Sequence, residues 1–309
     1  MPEPSAVDPC SKRLTWQELD PSALKQLIAH ARDEDLAGWG LNQRPEPSVA
    51  HDVSSALLPT AHPGSASLVA RSAMVVCGLR LLPLIAEVYR FELQYDSSKS
   101  DGQTVAKGDV LGRLHGPAQQ ILQMERVALN FVQMLSGVST ETRRYVEALG
   151  NSPTRLLDTR KTLPGYRMLQ KYAVACGGGW NHRLGLFDRV MLKDNHLAAT
   201  GSTAGDRLFE TVRRARETQP NLLIEVEVDR IDQIEPAIEA GAHILLLDNF
   251  DNDALRDAVA RIAGRVRTEA SGGITIERLP SMANLGLDYI STGATVHQCQ
   301  WQDIGLDWD

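Results

Sequence analysis

The sequence predicts an α/β protein in which a smaller N-terminal α+β sandwich domain precedes a TIM-like β/α barrel, incomplete, with six or seven strands. The main observation is an alternation, after residue 150, of short apolar segments of strand character with segments of helical periodicity. Such alternation indicates parallel strands covered by helices. Six repeats in one row favour a barrel, although the pattern alone also admits an open sheet. The strand candidates are 155–158, 189–193, 222–228, 243–248, 266–270 and 288–292.

A long buried helix forms the bridge between the two predicted domains. Apolar residues recur at three- and four-residue steps from Met124 to Val138, and the pattern continues to Leu149 before Gly150 ends it. Arg126 lies almost beside this apolar face, where a charged group needs a partner or a ligand.

The N-terminal part combines one helix with several β-rich runs. Residues 21–37 have helical spacing, and residues 40–50 are rich in proline and polar residues and predict an inserted loop. We expect β-rich runs over 66–78, 84–95 and 101–116. The predicted organisation is a disordered tail (1–12), an N-terminal α+β domain (13–135) joined by the C-terminal segment (298–309), and a β/α-barrel catalytic domain (136–297).

Composition narrows the class of protein. The 309 residues contain no run of about 18 uncharged apolar residues, so we expect no membrane span, and the N-terminal segment has no apolar core of the signal-peptide type. The cysteines are far apart and include no C-x-x-C pair, which argues against a zinc site and a disulfide framework. A reducing, cytoplasmic location fits this usage. The cysteines are Cys10, Cys77, Cys176 and Cys299.

Positive charge is concentrated in one segment of an acidic chain. The formal net charge is -7, yet residues 155–193 contain eight Lys or Arg and only two acids. These cations surround a triple-glycine turn at 177–179. A nucleic-acid surface usually raises the isoelectric point of its domain, and here it is about 5.7. The segment therefore predicts a binding site for a small substrate with several negative charges, and no nucleic-acid partner.

The predicted strands end in polar side chains. In a β/α barrel the carboxyl ends of the strands form one mouth, where the following loops build the active site. Glu225 and Glu227 are two positions apart and therefore point to the same side of their strand, with Glu227 nearer the mouth. The strand-end residues are Asp158, Lys193, Glu227, Asp248, Glu269 and Thr292.

Two glycine-containing turns follow the last two strands. Ser271-Gly272-Gly273 and Gly293-Ala294 allow backbone N–H groups to approach an anion closely. The loops after the last two strands of a barrel are a frequent phosphate site.

Taken in order, the motifs resemble the quinolinate phosphoribosyltransferase family, the decarboxylating type II phosphoribosyltransferases of NAD biosynthesis. The resemblance covers roughly residues 34–297. It is carried by ERVALNFVQMLSGVST (125–140), DTRKTLPGYRMLQKYAV, GGGWNHRLGLFD, MLKDNH, EVEVD, LLLDNF, SGGI and STGA.

The resemblance implies a pentosyl-transferring enzyme. Its substrates would be quinolinate and phosphoribosyl pyrophosphate (PRPP) with Mg2+, and its products nicotinate mononucleotide, pyrophosphate and carbon dioxide. No organic cofactor would be needed. The minimal active unit would be a homodimer, in which Arg126 enters the site of the neighbouring subunit.

The resemblance also implies roles for individual residues, and we assign the catalytic ones to Lys161, Lys193, Glu227 and Asp248. Quinolinate would be bound by Arg126, Arg160, His182, Arg183 and Lys193. The phosphates of PRPP would be bound by Lys161, Ser271, Gly272, Gly273, Gly293 and His297. Glu227 and Asp248 would hold Mg2+ and the ribose, although the sequence leaves open whether Glu225 or Glu227 is the carboxylate on the metal side.

The chain departs from the family pattern in two places. Glu34-Asp35-Leu36 is followed by a longer insert, and His51-Asp52-Val53-Ser54 stands where the family has Gly-Asp-x-Thr. An extra loop lies near 199–205. Both departures lie outside the catalytic segments.

Two other functions remain open from the sequence. A phosphoribosyltransferase for nicotinate would not decarboxylate, but three arginines and two lysines exceed what one carboxylate requires. The run DGQTVAKGDVLGRL resembles the hairpin of biotinyl and lipoyl carrier domains, but it lacks their lysine in a tight turn.

Overall fold

The computed structural model describes residues 8–43, 52–59, 62–193, 196 and 205–309. These residues form two compact units. The mixed unit contains the described parts of Thr15–Glu141, Met168–Gly178 and Cys299–Asp309. The parallel-sheet unit contains the described parts of Met1–Leu14, Thr142–Arg167 and Gly179–Gln298. Most of the predicted insert at 40–50, and the extra loop at 199–205 except residue 205, lie outside the described residues.

The mixed unit is built on an antiparallel sheet. The strands of this unit are β1 (Pro63–Ala70), β2 (Met74–Val75), β3 (Gln94–Ser97), β4 (Thr104–Val105), β5 (Val110–Pro117) and β12 (Ile304–Trp308). The antiparallel sheet has the order β12-β1-β5-β3, and β2 and β4 form a separate pair. The last strand of the chain thus pairs with the first.

Helix α1 (Pro21–Ala37) confirms the helix that was predicted over 21–37. The side chain of Asp20 caps its start by accepting a hydrogen bond from the Ser22 amide at 2.9 Å, and Gly38 ends it in the left-handed conformation.

The prediction of a β-rich run over 84–95 is wrong for its first half, which belongs to helix α2 (Leu81–Tyr89). Its buried residues Leu81, Leu82, Ile85, Ala86 and Tyr89 follow a spacing of three and four, which is the period of a helix. The β-branched and aromatic residues of the run had suggested a strand, but the periodicity decides the outcome.

The long bridging helix is confirmed as α3 (Ala118–Ala148). Every apolar residue predicted for its buried face is buried, from Met124 to Val138. The boundary between the two units falls within this helix, after Glu141, rather than at residue 135.

A second helix also belongs largely to the mixed unit, although the predicted domain boundaries placed it in the barrel. This is α4 (Arg167–Cys176), and its residues from Met168 onward group with the mixed unit. Ser139 donates a hydrogen bond to the Ala173 carbonyl at 2.9 Å, and the Tyr172 hydroxyl donates to Asp101 at 3.0 Å.

The parallel-sheet unit confirms the predicted α/β class and the six predicted strands. The sheet has the order β6-β11-β10-β9-β8-β7, and every pairing in it is parallel. No pairing between described residues joins β6 to β7, so the barrel is not closed. The strands are β6 (Arg155–Leu157), β7 (Val190–Leu192), β8 (Ile224–Val228), β9 (Ile244–Asp248), β10 (Arg267–Ser271) and β11 (Tyr289–Ser291).

Helices alternate with these strands, and one face of the sheet packs against them. Ile224, Val226 and Val228 of β8 belong to a large buried apolar cluster with residues of the helices. The helices are α5 (Gly205–Thr218), α6 (Ile234–Glu239), α7 (Asn252–Ile262), α8 (Leu279–Met282) and α9 (Ala294–His297). The intervening residues Glu225 and Glu227 point to the opposite face, which is the interior of the incomplete barrel. Among the described residues, no helix is long and apolar enough to cross a membrane.

Residues 8–14 pack into the parallel-sheet unit, so the prediction of a disordered tail is wrong for residues 8–12. Cys10 is buried in a small cluster with Leu157, Ile244 and Tyr289. Asp8 accepts hydrogen bonds from Arg155 at 2.7 Å and from the Tyr289 hydroxyl. The segment was predicted to be disordered because it is polar. In the fold the Asp8 carboxylate accepts hydrogen bonds at the amino-terminal ends of the strands, and composition alone could not indicate this. Residues 1–7 lie outside the described residues.

We expect Asp8→Asn to lower the free energy of unfolding by about 1.5–3 kcal/mol, because the charge of Arg155 loses its partner while the size of residue 8 is kept. Burial by itself would raise the pKa of Asp8, but the hydrogen bonds from Tyr289 and the Cys10 amide, together with Arg155, lower it below its usual value. The stabilisation is therefore fully present above the unfolded-state pKa of about 3.9 and is lost as the pH falls through the lower folded-state pKa.

Urea unfolding of both proteins at about pH 7 and about pH 3 checks this expectation. The matched control is Asp257→Asn, which breaks a surface pair with Arg261 and should change stability little. An equal difference between Asp8→Asn and the parent at both pH values would contradict the assignment.

Candidate active site

A cavity of about 750 Å³ opens at the carboxyl ends of the parallel strands. It lies within the parallel-sheet unit, where the sequence predicted the mouth of a barrel. The structure brings nearly all of the predicted site residues to its wall. They are Arg160, Lys161, His182, Arg183, Lys193, Glu227, Asp248, Ser271, Gly272, Gly273, Gly293 and His297.

Arg126 is the predicted site residue that does not line this cavity. It lies on α3 in the mixed unit, where its side chain is exposed. It forms no ion pair with any residue that the structure describes.

Asp158 follows directly after the first parallel strand but does not line the cavity either. It is buried, and its carboxylate accepts hydrogen bonds from the His182 amide and from the Asn181 side chain, both at 2.8 Å. Its role is therefore to hold the segment that carries His182 and Arg183 against the sheet.

Two arginines give one side of the cavity an uncompensated positive charge. Neither Arg160 nor Arg183 forms an ion pair with the described part of the chain. Arg183 is buried, and both burial and the nearby charge of Arg160 lower the pKa of its guanidinium, despite the opposing effect of Glu225. Two cations held together in this way favour the binding of an anion with more than one negative charge.

A buried charged cluster lies beneath these arginines. Glu225 is fully buried, and its carboxylate contacts Arg189 Nη1 at 2.8 Å and His182 Nε2 at 3.1 Å. Burial would raise the pKa of Glu225, but His182 and Arg189 outweigh it and lower that pKa to about 2. Glu225 is thus held by Arg189 and His182 and does not line the cavity.

Glu227, by contrast, lines the cavity. The Lys193 ammonium donates to Glu227 at 2.7 Å. The neighbouring strand ends in Asp248, whose carboxylate accepts from the Asn249 amide at 2.6 Å. Glu227 and Asp248 follow the same side of β8 and β9, since Glu227 pairs with Leu246, two positions before Asp248.

The glycine turns form the other side of the cavity. Gly272 has a φ of +88°, and a Cβ atom at this position would lie 2.1 Å from Asn249 Oδ1 and 2.9 Å from the Asn249 nitrogen. A Cβ on Gly293 would lie 2.9 Å from atoms of His297 and Lys161. Gly272 therefore requires glycine, whereas a side chain at Gly293 would displace His297 and Lys161. The exposed Gly273 leaves room for an anion.

Sequence reasoning gave no role to two residues of this wall. Asn249 follows β9 with a φ of +59°, a conformation that asparagine tolerates better than most residues. The motif LLLDNF contained it, so its position after Asp248 was a usable signal. Glu269 was noted only as a polar residue near a strand end, and it is fully buried at the cavity wall.

Two family models together match most of the chain. The model described as "Quinolinate phosphoribosyl transferase, N-terminal domain" matches residues 52–136. The model described as "Quinolinate phosphoribosyl transferase, C-terminal domain" matches residues 138–307, which include every residue of the cavity.

Individual proteins agree with these models. A "Probable nicotinate-nucleotide pyrophosphorylase (carboxylating)" from Bacillus subtilis is 39% identical over 92% of this chain and 93% of its own length. A "Quinolinate phosphoribosyltransferase (decarboxylating) 2, mitochondrial" from Nicotiana glauca is 33% identical over 99% of this chain and 89% of its own length. The solved structure of the nicotinate-nucleotide pyrophosphorylase from Francisella tularensis superimposes with a TM-score of 0.85 at 33% identity, covering 94% of this chain and 98% of that chain. The chain therefore belongs to the quinolinate phosphoribosyltransferase family.

Proposed function

We propose that this chain transfers the phosphoribosyl group of PRPP to quinolinate and decarboxylates the adduct, giving nicotinate mononucleotide, pyrophosphate and carbon dioxide. The observation that carries the proposal is the pair Arg160 and Arg183, two cations that face a cavity without an anionic partner among the described residues. A pyridine dicarboxylate supplies the two negative charges that this wall lacks.

The quinolinate half of the cavity would be the wall of Arg160, His182, Arg183 and Lys193. Guanidinium groups bind carboxylates through two parallel hydrogen bonds, so the arginines would fix the orientation of the ring. Lys193 is a compact point charge already held by Glu227, and it would stabilise charge rather than determine orientation.

The PRPP half would be the wall of the glycine turns and the two strand-end carboxylates. Backbone N–H groups at Ser271, Gly272 and Gly273 would bind phosphate oxygens, with Lys161 and His297 beside Gly293. Lys161 would thus lie between the two substrates.

Glu227 and Asp248 suit a Mg2+ ion. Both are hard oxygen donors at the cavity wall, and Mg2+ is commonly bound by one or two carboxylates together with substrate phosphates. When bound, the ion would offset the charge that develops on the leaving pyrophosphate.

The reaction would proceed in two parts. The ring nitrogen of quinolinate attacks C1 of the ribose, and the C1–O bond breaks as pyrophosphate leaves, with Lys161 close to the developing charge. The bond to the 2-carboxylate then breaks and carbon dioxide leaves its electron pair on the ring carbon, where the cationic ring nitrogen stabilises it. A proton then adds to that carbon.

We also propose a homodimer in which Arg126 reaches the cavity of the neighbouring subunit. The support is that Arg126 is exposed on α3, has no ion pair within the described residues and is absent from the cavity of its own chain. A two-fold axis places one surface of each subunit against the other, so the contribution would be reciprocal.

The four cysteines are free thiols, which fits a cytoplasmic location.

The direct test is an assay with quinolinate, PRPP and Mg2+ that follows both nicotinate mononucleotide and carbon dioxide. We expect equal amounts of the two products, loss of turnover in excess EDTA and its return with added Mg2+. Turnover of nicotinate without release of carbon dioxide would favour the non-decarboxylating alternative, and full turnover in EDTA would remove the metal from the proposal.

The arginine wall is tested by binding. We expect Arg160→Ala and Arg183→Ala each to weaken quinolinate binding by at least about 2 kcal/mol, roughly 30-fold, because the substrate carboxylates lose a charged partner. Calorimetric titration measures this, and Arg256→Ala is the control, since it removes an equal charge from an exposed surface pair. Parental affinity in both cavity variants would show that these arginines do not bind quinolinate.

The shared site is tested by complementation. Arg126→Ala and Lys161→Ala should each be nearly inactive, but after subunit exchange the mixture should recover about a quarter of the parental activity, from mixed dimers with one intact site. Mass-tagged subunits verify that exchange has occurred. Exchange without any recovery would place Arg126 outside the neighbour's site.

A further inference from the structure

A carboxyl group without a hydrogen-bond partner is buried at the wall of the cavity. Glu269 on β10 is fully buried, and neither of its carboxylate oxygens has a hydrogen-bond partner of normal geometry among the described residues. Its side chain lines the same cavity as Arg160 and Arg183. An ionised carboxylate in such a place is strongly unfavourable unless it is paired, whereas a neutral acid is much less so.

The surroundings of Glu269 are defined by the elements packed against it. His182 Nε2 lies 3.5 Å from Glu269 Oε1, and Glu225 on β8 and Arg189 act on it through their charges. The hydroxyl of Ser291 on β11 lies near enough to favour the ionised form slightly. The other charged residues that line the same cavity are Arg160, Lys161, Arg183, Lys193, Glu227 and Asp248.

Charge balance in this cluster requires one proton on either His182 or Glu269. Glu225 and Arg189 neutralise each other at 2.8 Å, which leaves His182 and Glu269 as the titrating pair. The Arg183 amide donates a hydrogen bond to His182 Nδ1 at 2.7 Å, so the ring carries its proton on Nε2 and is neutral in this geometry. The proton that balances the pair then belongs to Glu269.

The pKa shifts of Glu269 and His182 agree with this distribution. Burial raises the pKa of Glu269 to about 7, with Glu225 adding to the rise and His182 opposing it. The carboxylates likewise raise the pKa of His182, against the effect of its burial. Both groups therefore hold a proton more firmly than they do in water.

We propose that Glu269 takes part in substrate binding as a neutral carboxylic acid, and that binding of a dicarboxylate against Arg160, His182 and Arg183 draws a proton from solvent into the Glu269–His182 pair. This inference rests on the proposed function. An ionised Glu269 would repel a substrate carboxylate held by these arginines, whereas the neutral acid would not. The two carboxylates of the substrate raise the proton affinity of the Glu269–His182 pair, so this pair takes up a proton when the substrate binds. No substrate bond changes in this step.

The proposal makes Glu269 a specificity residue. A monocarboxylate such as nicotinate has half the negative charge, so fewer protons would be taken up per molecule bound. The affinity for quinolinate should fall as the pH rises above about 7, because binding is coupled to proton uptake and the proton concentration is then lower. Below that pH Glu269 is already protonated, and the proton uptake should vanish.

Calorimetric titration of quinolinate into the whole protein, in buffers of different ionisation enthalpy, measures the protons taken up on binding. At about pH 8 we expect close to one proton for the parent protein and less than about half of that for Glu269→Gln, which carries a neutral amide of the same size. The affinity of Glu269→Gln should also change less with pH. Glu277→Gln, which removes an exposed carboxylate after the same strand, should behave like the parent.

A second measurement does not depend on the variant. Infrared difference spectra of the parent protein with 13C-labelled glutamate should show more protonated carboxyl absorption when quinolinate is added at about pH 8. Binding with the same proton uptake in Glu269→Gln and in the parent, or with no such infrared change, would overturn this inference and leave the proposed function intact. Absence of quinolinate binding to the parent would instead overturn the proposed function, and the inference with it.

Discussion

The ion pair between Glu225 and Arg189 is the constraint on which the cavity depends. Both side chains are buried, so removal of either one would leave the other charged and unsolvated, which is strongly destabilising. Arg189 also donates to the Cys10 carbonyl, and Glu225 also holds His182. One buried pair thus joins the amino-terminal segment, the sheet and the loop that carries the cavity histidine.

Three ion pairs lie one above another along the strands, from their amino-terminal to their carboxyl ends, and each pair forms one level. Asp8 and Arg155 pair at the amino-terminal ends, Glu225 and Arg189 pair in the middle, and Lys193 and Glu227 pair at the cavity. Each of these ion pairs is neutral, whereas Arg160, Lys161 and Arg183 of the cavity wall form no ion pair with a described residue. The site therefore attracts anions because the levels below it are balanced and not because the protein is basic, since its net charge is -7.

Much of this arrangement was predictable from the sequence, because parallel strands bring their carboxyl ends to one edge. That rule alone placed Lys193, Glu227 and Asp248 together. The sequence could not distinguish the surroundings of Glu225 and Glu227, since both point inward. In the fold Glu225 is buried against Arg189, whereas Glu227 lines the cavity. Neither could the sequence show that Glu269 lacks a hydrogen-bond partner of normal geometry among the described residues, or that the polar residues 8–12 pack against the sheet. These properties depend on groups that are distant in the chain and meet only in the fold.

The packing of residues 8–14 has a consequence for the order in which the protein can assemble during synthesis. Asp8 bonds to Tyr289, which follows it by 281 positions, and each unit is drawn from three separate segments of the chain. Residues 8–14 are synthesised before β11 and can complete their contacts only after β11 has been made. Contacts of such long range form slowly. During this interval β6 would lack its neighbour β11, so the growing chain exposes apolar surface and an unpaired strand edge to which a chaperone could bind.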